Sequence, residues 1–160
     1  MLRILDITAP DINNGNGIRV TLWVSGCTHC CKGCHNQWTW KFNQGRIFNE
    51  NKADIAEELD DWLRRDYVQG LTLSGGDPLC QDNEGLNELI ELILWVRKMY
   101  PEKDIWLYTG YYYKDLDGLK KTVADMCDVV VEGPYEEDKR DIAHTPFRGS
   151  TNQNILFLNK

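Results

Sequence analysis

Hydrophobic positions change period several times along this chain, and each change marks an element. Over residues 18–25, Ile18, Val20, Leu22 and Val24 alternate with Arg19, Thr21, Trp23 and Ser25, the period of two that a strand shows. The Asn14-Gly15 and Asn16-Gly17 pairs ahead of it are turn residues, so a short strand over residues 2–7 is expected to fold back on it. A phosphate loop built on Gly15, Gly17 and Arg19 would need a helix to follow, and no helix signal does, so these glycines read as a plain turn. Residues 53–65 carry Ile55, Leu59, Trp62 and Leu63 at helical spacing. Residues 71–74 read as a buried strand. Residues 84–100 form the clearest helix, striped by Leu86, Leu89, Ile90, Ile93 and Val96 and stopped by Pro101. A strand at 104–109, a helix at 114–126 with Leu116, Leu119 and Val123 inward, and a strand at 128–132 follow, with 155–158 as a last strand.

Strands alternating with helices through short connections predict an α/β fold with a mainly parallel sheet in a single domain over residues 1–160. An eight-fold barrel needs about 250 residues, so any barrel here is incomplete. The four main strands each run into glycine, at Gly26, Gly75-Gly76, Gly110 and Gly133. Parallel sheets bind ligands beyond the carboxyl ends of their strands, so these turns mark the expected binding rim.

Charge narrows the function. With 18 basic and 25 acidic residues the net charge is −7, which argues against nucleic acid as a partner. The balance is uneven: Arg3, Arg19, Lys32, Lys41 and Arg46 against Asp6 and Asp11 leave +3 on residues 1–49, and hence −10 on the rest. No apolar run approaches the roughly 20 residues of a membrane span. An acid and a proline come early in MLRILDITAP, unlike a secretory signal. A cytoplasmic protein with reduced thiols is therefore expected.

That expectation bears on six cysteines, four of which (Cys27, Cys30, Cys31, Cys34) fall within eight residues. Clustered thiols in a reducing compartment favour metal over disulfides. A zinc site could draw on Cys27, Cys30 or Cys31, Cys34 and His29 or His35, but structural zinc usually takes a second ligand pair farther along the chain. A four-iron cluster is the better match: closed if all four thiols bind, and open at one iron if only three do. Spacing alone leaves two registers, Cys27-x3-Cys31-x2-Cys34 and Cys27-x2-Cys30-x3-Cys34. Cys127 reads as a small buried hydrophobe, and Cys80 is ambiguous.

Cys27-x3-Cys31-x2-Cys34-His35 resembles the CxxxCxxC-aromatic signature of the radical S-adenosylmethionine (SAM) superfamily, and Ser74-Gly75-Gly76-Asp77-Pro78 is similar to its GGEP-type turn, with Asp for Glu. Asn14-Gly15-x-Gly17-x-Arg19, Cys34-His35-Asn36 with Thr39-Trp40, and Arg148-Gly149-Ser150-x-Asn152-Gln153 resemble the glycyl-radical-enzyme activases; the small size, Asp104-Ile105-Trp106 through Thr109-Gly110-Tyr111 and the Arg148–Gln153 tail are similar to the branch serving anaerobic ribonucleoside-triphosphate reductase. The resemblance implies a [4Fe-4S] cluster on Cys27, Cys31 and Cys34, with SAM chelated by the fourth iron. Reductive cleavage of SAM would give a 5′-deoxyadenosyl radical that takes a hydrogen from a glycine in the reductase's large catalytic subunit. It implies SAM contacts from Gly75, Gly76, Asp77 and Pro78 on the methionine side and from Gly33, Cys34 and His35 on the adenine side. Trp38 and Trp40 would pack the loop, and Arg148 and Asn152 would hold loops or touch the partner. The electropositive first third suggests a flavodoxin-like reductant. Two departures stand out: Glu132-Gly133-Pro134 lacks a lysine common in related activases, and Cys30 is extra. Two alternatives remain: an activase of another glycyl radical enzyme, and a non-catalytic iron–sulfur electron carrier.

Overall fold

The computed structural model describes residues 1–140 and 146–158. Among the described residues, seven strands, β1 (Arg3–Asp11), β2 (Ile18–Val24), β3 (Arg46–Ile47), β4 (Val68–Gly75), β5 (Asp104–Tyr108), β6 (Val129–Glu132) and β7 (Asn154–Phe157), form one sheet in the order β3-β1-β2-β4-β5-β6-β7. Three helices, α1 (Lys52–Leu63), α2 (Asn83–Met99) and α3 (Gly118–Asp125), connect the parallel run β2-β4-β5-β6.

The expectation of a mainly parallel sheet needs correction. Pairings β1–β2, β1–β3 and β6–β7 are antiparallel, so half of the sheet's pairings are of each kind. A parallel return requires a crossover of a dozen or more residues, which the short Asn/Gly turn cannot make, so β1–β2 is the expected antiparallel pair; the edge strands β3 and β7 bring the other two. The helix expected over 114–126 is also shorter. A separate single turn at Tyr113–Asp115 precedes it, Leu116 is extended (φ −76, ψ 141), and α3 begins at Gly118. Tyr113 N–H donates to the buried Glu132 Oε2 (2.6 Å) and Leu116 drops into the core, which breaks the helical run between them.

Alternation along the strands sorts the two faces of the sheet. Val20, Leu22, Val24, Leu71, Leu73, Ile105, Leu107 and Val130 face one way and join Ile55, Leu59, Leu86, Leu89, Ile93 and Val123 of the helices in the main core. The opposite parity, Thr21, Trp23, Thr72, Ser74, Trp106 and Tyr108, faces away from that core, and none of the three α-helices contributes to the small apolar cluster there. Near the start of β2, Arg19 is fully buried on this second face. It pairs with Asp104 at 2.7 Å and donates to Thr72 Oγ1 and the Leu71 carbonyl. The Gly15–Gly17 segment is thus a turn closed over a buried guanidinium, and Arg19 contributes nothing to the basic surface.

Helix α2 is capped by Asp82, whose side chain accepts from Gly85 N–H at 2.7 Å, and Arg97 and Lys98 occupy its last turn. Asp82→Ala leaves that donor unpaired and is expected to cost about 1 kcal/mol, read as a lower urea midpoint at unchanged slope. No helix among the described residues is long and apolar enough to cross a membrane.

Candidate functional site

Beyond the carboxyl ends of β2, β4, β5 and β6 lies a cavity of about 450 Å³, within the ordinary range for a small-molecule site. Its wall takes Trp23, Ser74 and Tyr108 from the helix-free face, Gly75, Gly76, Asp77, Gly110 and Gly133 from the strand-end turns, and the thiols Cys27, Cys31 and Cys34. Cys30 is exposed and is absent from that wall. It is also one of two non-glycine residues with positive φ (52°) among the described residues, a left-handed conformation that turns the chain sharply between Cys27 and Cys31.

The cysteine loop leaves β2 through a neck tied by two backbone bonds, Gly26 N–H to Thr39 O (2.7 Å) and Cys27 N–H to Trp40 O (3.1 Å). Ser25 Oγ adds a donation to Lys41 O. Inside the loop, Cys34 N–H donates to Cys31 O, and Asn36 N–H points at Cys34 Sγ (3.4 Å). Gly33 (φ +76) lies against Glu137, and His35 tilts against Tyr135 at 5.6 Å on the cavity wall. Trp40 lines the cavity, while Trp38, half exposed, tilts on Trp23 at 5.9 Å.

Gly75 and Gly76 carry a different constraint from the one expected of a ligand cradle. A Cβ on Gly75 (φ +118) would stand 2.4 Å from Val24 N and O, and one on Gly76 would stand 2.2 Å from Gly26 O. These glycines are required by the close approach of β4 to the end of β2, which Gly76 N–H to Val24 O and Asp77 N–H to Gly26 O fasten. Their backbone still lines the cavity. Asp77 is a buried junction: it accepts from Leu79 N–H (2.8 Å), Gly110 N–H (2.8 Å), Thr109 Oγ1 (3.0 Å) and His29 Nε2 (2.6 Å). Burial pushes its carboxyl up, and His29 with these donors opposes that push. Pro78 is buried in the same turn.

Cys80 is the part of the site that motif reading missed, and His29, a zinc candidate in the sequence, stands beside it. The Asp77 hydrogen bond, with a further one to Cys80, pushes His29 up to about 10. Cys80 Sγ lies 3.5 Å from His29 Nε2, and a hydrogen bond between Cys27 and Cys80 pushes the first thiol up and pulls the second down. No fixed spacing in the sequence links positions 51 residues apart, so only chemistry-bearing residue types beside the Gly-Gly-Asp-Pro turn could have drawn attention to Cys80. The remaining expected residues serve the frame. Arg148 lines the cavity and donates to Gln153 O, Asn152 donates to Pro134 O, and Gln153 reaches Gly133 O. Glu132 accepts from Tyr113 N–H and Asn154, away from the cavity wall.

The donor set fits an iron–sulfur cluster better than a single ion on the loop. Two sulfurs on one zinc stand at most about 4.6 Å apart, twice the Zn–S bond. Among the described residues, the one trio of His, Cys, Asp or Glu with all donor atoms within 4.8 Å of one another is Cys27, His29 and Cys80. Cys27, Cys31 and Cys34 share the cavity wall but form no such trio.

Comparison with known proteins agrees. A family model described as a 4Fe-4S single cluster domain matches residues 13–156. A protein of Pasteurella multocida is 44% identical over 148 residues, covering 91% of this chain and 90% of the relative. One of phage T4 is 42% identical over 145 residues (91% and 87%), and one of Escherichia coli K12 is 42% identical over 149 residues (92% and 94%). All three carry the name anaerobic ribonucleoside-triphosphate reductase-activating protein.

Proposed function

The chain belongs to the family of anaerobic ribonucleoside-triphosphate reductase-activating proteins, and from that membership we propose that it is a radical SAM activase that installs the glycyl radical on the reductase's large catalytic subunit. The observation that carries this reading is the selection among thiols: Cys27, Cys31 and Cys34 line the same cavity as the Gly75-Gly76-Asp77 turn, and Cys30 does not. When bound there, a [4Fe-4S] cluster with one open iron supplies the SAM site and the electron that breaks the sulfonium bond.

The chain's own residues do the rest. Cys27, Cys31 and Cys34 would each hold one iron, from a loop whose neck is fastened to Thr39 and Trp40. Gly75 and Gly76 present backbone to the methionine end of SAM, Asp77 and Pro78 hold that turn, and Gly33, Cys34 and His35 stand at the adenine end. Asp77 ties the ends of β4 and β5 to the cysteine loop. An incomplete (βα) barrel is the architecture that goes with this reading: the three helices pack on one face, and the cavity face is left for a loop of a protein substrate. A cytoplasmic setting, where thiols stay reduced, goes with it too.

Anaerobic reconstitution is expected to load about four irons per chain and give SAM cleavage that depends on reductant, with the glycyl radical appearing on the reductase when it is added. Iron uptake without SAM cleavage would leave an electron carrier instead. For the reductant, exposed Lys32 and Lys41 flank the cluster loop, while Arg19 is buried and Arg46 pairs with Glu58. Reduction by an acidic flavodoxin-like donor should therefore slow as salt rises; a rate indifferent to salt would argue for another donor.

A further inference from the structure

Cys27 stands where two sets of donors meet, one running along its own loop and one across to the turn after β4. We propose that in the absence of the cluster the chain binds one soft divalent ion of the zinc type through Cys27, His29 and Cys80, and that this ion and the cluster exclude each other because both need Cys27. The second half rests on the reading of Cys27 as a cluster ligand; the first half does not.

The three donor atoms lie within 4.8 Å of one another, and Cys80 Sγ is 3.5 Å from His29 Nε2. Each is held by a different device. Cys27 is fixed by its backbone bond to Trp40 O. Cys80 closes the turn that Asp77 caps, with its N–H on Asp77 O at 2.9 Å. His29 is set by Asp77 and by a T-shaped contact with the Tyr111 ring at 4.6 Å between centroids. Two sulfurs and an imidazole are donors that zinc selects, and a fourth position stays open for water. Binding would release to solvent whatever protons these three donor atoms carry. Asp77 Oδ2 would lose His29 but keep Thr109 Oγ1 and Gly110 N–H as donors, so its buried carboxylate is not orphaned. Once Cys27 is committed to this trio, only Cys31 and Cys34 remain of the cluster set.

The test titrates the whole chain, freed of iron under reducing anaerobic conditions, with Co²⁺, whose thiolate charge-transfer and visible bands report tetrahedral sulfur ligation, and then displaces it with Zn²⁺. One cobalt per chain is expected. Cys80→Ser, nearly isosteric, and His29→Asn should each weaken it by more than roughly tenfold, since losing a ligand costs at least what losing its outer support does. Cys34→Ser should bind as wild type does. Zinc-loaded wild type should take up iron more slowly than zinc-free protein, and Cys80→Ser should be insensitive to zinc. Unchanged cobalt affinity in Cys80→Ser, or its loss in Cys34→Ser, would overturn the site; iron uptake indifferent to zinc in the wild type would overturn the exclusion. Failure of zinc-free wild type to take up iron would count against the cluster reading alone, with the cobalt result still standing.

Discussion

Alanine at Cys27, Cys31 or Cys34 is expected to remove most of the iron and all SAM cleavage, whereas Cys30→Ala keeps both. The four thiols are nearly equivalent by spacing, and geometry separates them. Three line one cavity with the strand-end turns, while Cys30 is exposed and off the cavity wall. Two adjacent residues rarely aim side chains at one centre, and the left-handed backbone at Cys30 (φ 52°) puts the turn between Cys27 and Cys31 at that residue. With three ligands one iron stays open, which SAM chelation requires; with four, the cluster would be closed. Iron content and 5′-deoxyadenosine, measured for the four single variants, decide between these. Loss of cleavage in Cys30→Ala alongside its retention in Cys31→Ala would mean that the other register is the functional one.

Gly76→Val should damage more than SAM binding. A Cβ at Gly76 would meet Gly26 O at 2.2 Å and Gly26 N at 2.8 Å. That backbone cannot rotate aside, because Gly26 N–H is bonded to Thr39 O and Gly26 O accepts from Asp77 N–H. Relief requires the end of β4 to part from the end of β2, displacing Cys27 at the next position. The expected result is a stability loss of about 1–3 kcal/mol, the usual cost of overpacking, together with lower iron uptake and no measurable SAM affinity. Thermal unfolding of the iron-free chain isolates the first effect and reconstitution the second. A variant with wild-type stability and full iron but weak SAM binding would restore the simpler view, in which the missing side chain serves only the ligand.

These two outcomes show how far motifs reach. The spacing of Cys27, Cys31 and Cys34 and the Gly-Gly-Asp-Pro turn pointed to the rim where the cavity lies, because both are local patterns placed at strand ends. The reason for the glycines was not legible there. It lies in a strand packed alongside, some 50 residues earlier in the chain, and a motif records which residue is present without recording what crowds it. The +3 of the first third misled in the same way: it counts Arg19, which burial and Asp104 remove from the surface.

By itself the sequence determined what short-range physics controls. The period-two run of β2, the helical stripe of α2 with its stop at Pro101, and the strand-helix alternation all follow from side-chain direction and backbone preference within a few residues. The tertiary structure alone decided what depends on partners distant in the chain. It added β3, set the two edges antiparallel, ended the helical run before Gly118 so that Leu116 could enter the core, and turned Cys30 outward. It also brought His29 and Cys80 to Cys27, since a turn after β4 and a loop after β2 meet only when those strands lie side by side.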